Sequence, residues 1–173
     1  MEINQLTAQM SPCGGPLPDL EVPMINTIVT CLGSEHRKLN ELTMRLAFAA
    51  AHLAGDPDAI AAKQRALELW DEIRDDLWPH LQIEEELVFS WGEAHHAIPS
   101  TLLDTLKTDR DEMRKLVAAL LGLSLSKGQD SATSEDHGAF ASTLLALAQK
   151  LDSHVERYDG EVLPSILRAL FHK

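Results

Sequence analysis

Three histidines in separate parts of the chain stand where carboxylates could join them in binding a metal ion. His80 precedes Glu84 by four residues, His154 precedes Asp159 by five, and His36 lies in a third segment. Residues four apart on a helix point in the same direction. Imidazole together with carboxylate suits iron, manganese or zinc, and a carboxylate can bridge two metals. These residues therefore indicate a metal centre, provided that the fold brings their segments together.

Four amphipathic segments would carry these side chains. Apolar residues at three- and four-residue spacing predict helices over about 24–54, 58–91, 99–126 and 135–170. Abundant Ala and Leu, with few aromatic residues, also favour helix. Long amphipathic helices with short connections predict an all-α protein, an antiparallel up-down four-helix bundle over residues 24–173. The Pro- and Gly-rich residues 1–23 predict an extended or partly disordered N-terminal arm.

The histidines and one carboxylate interrupt otherwise apolar stripes. His80 and Glu84 share the inner stripe of the second helix, and His36 lies between Leu32 and Leu39 on the first. A lone buried carboxylate would cost several kcal/mol, so Glu84 needs a partner or a metal. For a single histidine, a hydrogen-bonded core imidazole would be the better interpretation. Three histidines, two of them followed by carboxylates, favour metal binding over a purely polar core.

Composition limits the possible partners. The 173 residues fit one domain, and the formal net charge of −12 argues against nucleic acid and anionic membrane as partners. The acidic character is compatible with cation binding. No signal peptide, no apolar run long enough to span a membrane and no disulfide framework is visible, so we expect a cytoplasmic protein, which could form oligomers.

The sequence resembles the hemerythrin-like (HHE cation-binding) domain family over about residues 24–170. That family has a histidine on its first helix, H-x-x-x-E on its second, and H-x-x-x-x-D or H-x-x-x-E on its fourth. His36, the His80–Glu84 pair and the His154–Asp159 pair match this pattern. The resemblance implies that His36 and His80 bind one iron ion and that His154 binds another. It further implies that Glu84 and Asp159 bridge the two ions.

The third helix departs from the family pattern, which places one or two histidines there. This chain has Asp109-Arg110 where the family typically reads Glu-His, and Arg114 where some members have a second histidine. Arginine stays protonated and cannot ligate a metal. Its guanidinium could instead fill the vacated volume and pair with Glu84 or Asp159.

Several metal contents therefore remain open. The site could hold dinuclear iron, a single ion on His36, His80 and carboxylates, another divalent cation, or no metal at all. Asp109 lies near the centre of the apolar arc of the third helix and could substitute as a ligand. A Tyr158 phenolate could bind ferric iron, but packing on the inner arc is the favoured interpretation for this residue.

The expected function follows from the family resemblance. It is non-haem metal binding, with iron as the first candidate ion, in sensing of O2, NO or peroxide, in iron handling or in a stress response. The alternative is a degenerate domain with a metal-free polar core that acts as an interaction module. No nucleotide-binding or hydrolase fingerprint is present, so a metal-binding protein is favoured over an enzyme.

Overall fold

Four helices make up the described part of the chain. The computed structural model describes residues 22–55, 68–69, 73–125 and 134–171. Helix α1 is Val22–Gly55 and helix α3 is Ser100–Leu125, both in regular α geometry. Helices α2 (residues 73–94) and α4 (residues 134–171) are each continuous but change geometry along their length. The all-α prediction is confirmed.

Both α2 and α4 contain wider π turns. The successive segments of α2 are Ile73–Leu77 (π), Trp78–Ile83 (α), Glu84–Phe89 (π) and Ser90–Ala94 (α). Those of α4 are Ser134–Arg157 (α), Tyr158–Val162 (π) and Leu163–Phe171 (α). The sequence periodicity predicted unbroken helices here, and the π turns are the main departure from that prediction.

A proline explains the irregularity at two of the three π segments. Pro79 and Pro164 each lie two residues after the end of a π segment. Proline has no amide hydrogen, and its ring clashes with the carbonyl four residues earlier. Those carbonyls belong to Asp75 and Gly160, which lie inside the π segments. Regular α geometry is therefore unfavourable at both places.

Two apolar clusters show how the helices run. The first cluster joins the start of α1, the end of α2, the start of α3 and the end of α4, and it includes Leu32, Leu87, Leu106 and Ile166. The second cluster joins the opposite helix ends and includes Leu46, Leu77, Met113 and Leu147. Because beginnings pack with ends, α1 and α3 run one way while α2 and α4 run the other. This is the antiparallel up-down bundle that the sequence predicts.

The predicted inner stripes are the buried ones. The residues that the apolar repeat places on these stripes are all buried: Ile25, Val29, Leu32, His36, Leu39, Thr43 and Leu46 on α1; Ile73, Leu77, His80, Glu84, Leu87 and Trp91 on α2; and Leu144, Leu147, Ala148, Leu151, Val155, Tyr158, Val162 and Ile166 on α4. On α3, Leu116 is only partly buried. Additional buried residues, such as Leu42 and Leu53, widen the apolar face of α1 beyond the predicted stripe. A wide face is what a helix in contact with several neighbours needs.

Some predictions concern residues outside the described ranges. Residues 1–21 of the predicted N-terminal arm, the start of the second helix near residue 58 and residues 127–133 of the loop belong to this group, whereas residues 22 and 23 already form the start of α1. They stay predictions. Across the described helices, none combines the length and apolar character that crossing a bilayer requires.

Leu46→Ala and Phe48→Ala compare a core and a surface position on the same helix. Leu46 is fully buried in the second cluster, whereas 67% of Phe48 is exposed. We expect Leu46→Ala to lower the free energy of unfolding by roughly 2–5 kcal/mol, because it removes apolar contacts and leaves a cavity. Phe48→Ala should change it by less than about 0.5 kcal/mol. Denaturant unfolding measures both, and equal effects would contradict this packing.

Candidate metal centre

A layer of polar side chains lies between the two apolar clusters. Along each helix, these residues lie at or next to the change from one cluster to the other, except Thr43, which lies among residues of the second cluster. The buried polar or charged residues of the described ranges are His36, Thr43, His80, Glu84, Asp109, Arg110 and His154. All four helices contribute at least one of them. The three histidines and Glu84 are each about 1% exposed or less.

The Glu84 carboxylate is the centre of this layer. Its Oε1 lies 3.4 Å from His36 Nε2 and 3.2 Å from His80 Nε2. Its Oε2 lies 2.9 Å from His154 Nε2. One buried carboxylate thus meets three imidazoles, and these contacts join α1, α2 and α4. The structure thus brings four of the five predicted site residues together, with the three histidines directly around Glu84.

The fifth predicted residue, Asp159, contacts His36 on the side of the ring that faces away from Glu84. Its Oδ1 lies 2.7 Å from His36 Nδ1, and its side chain is 49% exposed. In a regular α-helix, a residue five positions after His154 is rotated from it by about 140°. Asp159 lies within a π segment, where the wider turn reduces that rotation. Asp159 therefore reaches His36 on α1 while His154 faces Glu84.

Glu35 holds His80 in a similar way, and sequence reasoning missed it. Glu35 Oε2 lies 3.4 Å from His80 Nδ1, and the Nε2 of the same ring faces Glu84. A histidine that binds a metal through one nitrogen usually presents the other to a carboxylate, which orients the ring. The available signal was the Glu35-His36 pair, whose neighbouring side chains point about 100° apart and can meet different helices.

Three buried polar atoms around Glu84 lack a hydrogen-bond partner among the described residues: His80 Nε2, His154 Nδ1 and the Tyr158 hydroxyl. His80 Nε2 is within ion-pair distance of Glu84, but the angle does not meet hydrogen-bond geometry. The Tyr158 ring packs edge-on against His36 with centroids 4.6 Å apart. The ring therefore packs in the core, while its hydroxyl has no partner among the described residues.

At His80 and Glu84, burial and the neighbouring charges shift the pKa in opposite directions. Burial lowers the pKa of His80, but the Glu84 and Glu35 carboxylates raise it by more, to about 9. Burial raises the pKa of Glu84, but His154 and His80 lower it by more, to well below its usual range. Burial, Glu84 and Asp159 together raise the pKa of Tyr158 well above its usual value. Without a metal, the centre therefore holds an ionised Glu84 beside a protonated His80.

His36, His80 and Glu84 could hold a metal ion together. One ligand atom from each lies within 4.8 Å of the others. Two imidazoles and one carboxylate form a ligand set that non-haem iron uses, and it leaves further coordination positions open. His154 approaches the second oxygen of Glu84 but is not in this group.

Arg110 does not pair with Glu84 or Asp159, and that expectation is wrong. Its guanidinium forms an ion pair with Glu85 and lies 3.9 Å from Asp111. The two Glu84 oxygens already face imidazoles, and the long arginine side chain can extend past them toward a partly exposed carboxylate. Glu85, whose side chain is 40% exposed, is the partner that sequence reasoning missed.

Asp109 is neutralised by cations of α4. Lys150 Nζ donates to Asp109 Oδ1 at 2.9 Å, and Arg157 pairs with the other oxygen. Lys150 also pairs with Glu112. This geometry does not support Asp109 as a substitute metal ligand. The third helix instead enters the polar layer through ion pairs that connect it to α4.

A histidine and carboxylate cluster inside a four-helix bundle defines a class of metal-binding helical proteins. The chain matches the family model of the hemerythrin HHE cation binding domain over residues 18–166, which is most of its length. The chain belongs to this family, and the resemblance noted from the motifs is confirmed. Membership implies metal-ion binding. No curated protein and no solved structure matches the chain.

The His80 pKa predicts how the stability of metal-free protein depends on pH. Its folded value of about 9 lies above the usual 6.5, so its stabilisation is complete below about pH 6.5 and is lost as pH rises through 9. We expect a loss on the order of 2–3 kcal/mol across this window. The stabilisation from Glu84 is present above its usual pKa of 4.5 and is lost at lower pH.

Denaturant unfolding at several pH values after chelator treatment measures this dependence. His80→Gln should remove most of the loss between pH 6.5 and 9. The matched control is His52→Gln, since His52 is an exposed histidine of α1 whose hydrogen bond and ring contact, within the described ranges, are with Phe48 of the same helix. A His80→Gln protein with an unchanged pH dependence would contradict the assigned role of this imidazole.

Asp109→Asn tests the ion pairs between α3 and α4. The substitution leaves Lys150 and Arg157 without their shared buried charge, so we expect the free energy of unfolding to fall by roughly 1–3 kcal/mol. Asp104→Asn, at an exposed position of the same helix, should have little effect. Bound metal per chain should not change. An Asp109→Asn protein of normal stability that loses its metal would show that Asp109 is a ligand after all.

Proposed function

We propose that the protein binds a single non-haem iron ion through His36, His80 and Glu84. The observation that carries this proposal is the convergence of the three ligand atoms within 4.8 Å. All three residues are buried between two apolar clusters. A buried site of mixed imidazole and carboxylate donors favours a first-row transition metal over magnesium or calcium, which prefer all-oxygen sites.

The third helix supports one ion rather than two. No histidine occurs in Ser100–Leu125, and its buried charges are paired with Glu85, Lys150 and Arg157. A second ion would have His154 and shared carboxylates, with no imidazole from α3. We therefore assign His154 to the second oxygen of Glu84, where it holds the carboxylate in place. Asp159 orients the His36 ring and Glu35 orients the His80 ring, each through the Nδ1 atom that faces away from Glu84.

The open coordination positions suggest what the bound iron does. Iron held by three protein ligands can accept a small molecule, so O2, NO or peroxide are the proposed ligands and sensing or a stress response is the proposed role. Iron handling is compatible with the same site. The residues of the chain contribute by fixing the two imidazoles, supplying one negative charge and keeping bulk water away through the apolar clusters.

A metal-free polar core is the second candidate, and one observation favours it. Each Glu84 oxygen already has an imidazole beside it, so the buried charge is compensated without any ion. The domain would then act as an interaction module. The two candidates differ in metal content and in the effect of a chelator on stability.

Metal analysis of protein purified from iron-supplemented cells separates these candidates. We expect about one iron per chain and a stability that drops when a chelator removes it. Glu84→Gln and His80→Gln should each reduce bound iron at least tenfold, because each removes one of three ligands. His52→Gln is the matched control and should retain the wild-type iron content.

Each other outcome identifies a different error. Two irons per chain would overturn the single-ion proposal. Another metal at one per chain would keep the site and overturn the choice of iron. Protein that takes up no metal under any loading condition, with the same stability in chelator, would establish the metal-free polar core.

A further inference from the structure

The Tyr158 hydroxyl is a buried donor beside the proposed site with no partner among the described residues. Its side chain is 1% exposed. The phenol ring meets the His36 ring edge-on, at a centroid distance of 4.6 Å and an interplanar angle of 85°. His36 is one of the three proposed ligands, so the tyrosine is in van der Waals contact with the site without belonging to the ligand set.

An unpaired buried hydroxyl is unfavourable for folding. A hydroxyl moved from water to an apolar environment without a hydrogen bond loses its hydration and gains nothing in return. Phenylalanine would fill nearly the same volume without that loss. Packing explains the aromatic ring of Tyr158 but not the oxygen on it. Unsatisfied groups of this kind are rare in native structures, and a bound ligand is one of the partners that can satisfy them.

We propose that the Tyr158 hydroxyl donates a hydrogen bond to a small molecule bound at an open coordination position of the metal. This inference rests on the proposed function. The ligand class is a small anion or diatomic molecule with an accepting atom, such as azide, nitric oxide or a species derived from dioxygen. A phenol O–H can donate a hydrogen bond to such an accepting atom. Tyr158 is thus a specificity-determining residue rather than a metal ligand.

The position of Tyr158 in the bundle fits this role. It lies on α4 one turn after His154, and α4 supplies no member of the group formed by His36, His80 and Glu84. The ring lies at the edge of the first apolar cluster, where the polar layer begins. A donor in a dry environment forms a stronger hydrogen bond than one in water, so a single hydroxyl can select ligands that accept one.

Azide binding to ferric-loaded Tyr158→Phe protein tests the inference. Azide is added to wild-type and variant protein at equal iron content, and the absorption spectrum reports binding. We expect the dissociation constant to rise roughly 10- to 100-fold in the variant, because a hydrogen bond to a charged group is lost. Iron per chain should stay unchanged. Without metal, the variant should unfold at the same or a higher denaturant concentration, because the unpaired hydroxyl is gone.

Thr43→Val is the matched control. The Thr43 hydroxyl is likewise buried and unpaired among the described residues, on the same stripe of α1 as His36. It is seven residues from His36, roughly 10 Å along the helix. We expect Thr43→Val to leave azide affinity within twofold of wild type. A loss of azide affinity equal to that of Tyr158→Phe would overturn the inference.

The remaining outcomes also test the inference. Equal azide affinity in wild type and Tyr158→Phe, at equal iron content, would overturn the inference and leave the proposed function intact. Loss of iron or of a visible charge-transfer band in Tyr158→Phe, before azide is added, would show that Tyr158 is a ligand and overturn the donor role. Wild-type protein that binds no metal would overturn the proposed function, and this inference with it.

Discussion

The ionised carboxylate of Glu84 is the group on which the core of this bundle depends. A buried carboxylate without a partner would shift its pKa and become neutral, or it would destabilise the fold. Here imidazoles from α1, α2 and α4 surround it, and His80 carries a compensating proton. The same contacts set the relative heights of three helices. The contacts that compensate the Glu84 charge therefore also fix how the three helices align along their axes. A bound metal ion would take the place of the His80 proton in compensating that charge.

The irregular helix geometry occurs where the site is built. Glu84 begins one π segment, and Tyr158 and Asp159 begin another. Proline accounts for the second of these and for the π turn before His80, through the lost amide hydrogen and the clash with an earlier carbonyl. We have no equally direct cause for the π turn that begins at Glu84. A widened turn costs hydrogen-bond geometry, and the apolar clusters on either side of the polar layer stabilise the helices enough to carry it.

Sequence periodicity was sufficient for the fold and for most of the centre, since a 3.6-residue repeat determines which face of a helix is buried. His36, His80, Glu84 and His154 lie on those faces, and they meet. Periodicity could not locate Asp159, because its position depends on a π turn that departs from the repeat. Nor could it foresee the partner of Arg110, whose long side chain reaches Glu85 rather than Glu84 or Asp159. Which partner a long, flexible side chain reaches depends on which neighbouring groups already have partners, and only the packed structure determines that.

The asymmetry of the polar layer bears on what the centre can do. Helices α1 and α2 supply the proposed ligands, α4 supplies His154 and the unpaired Tyr158 hydroxyl, and α3 supplies only ion pairs. In this chain the side of the layer facing α3 is occupied by Asp109 and Arg110 with their own partners, so their charges are balanced locally. The charges of α3 are therefore balanced apart from the proposed site, and α4 supplies the one group, the Tyr158 hydroxyl, that we propose to meet a small ligand.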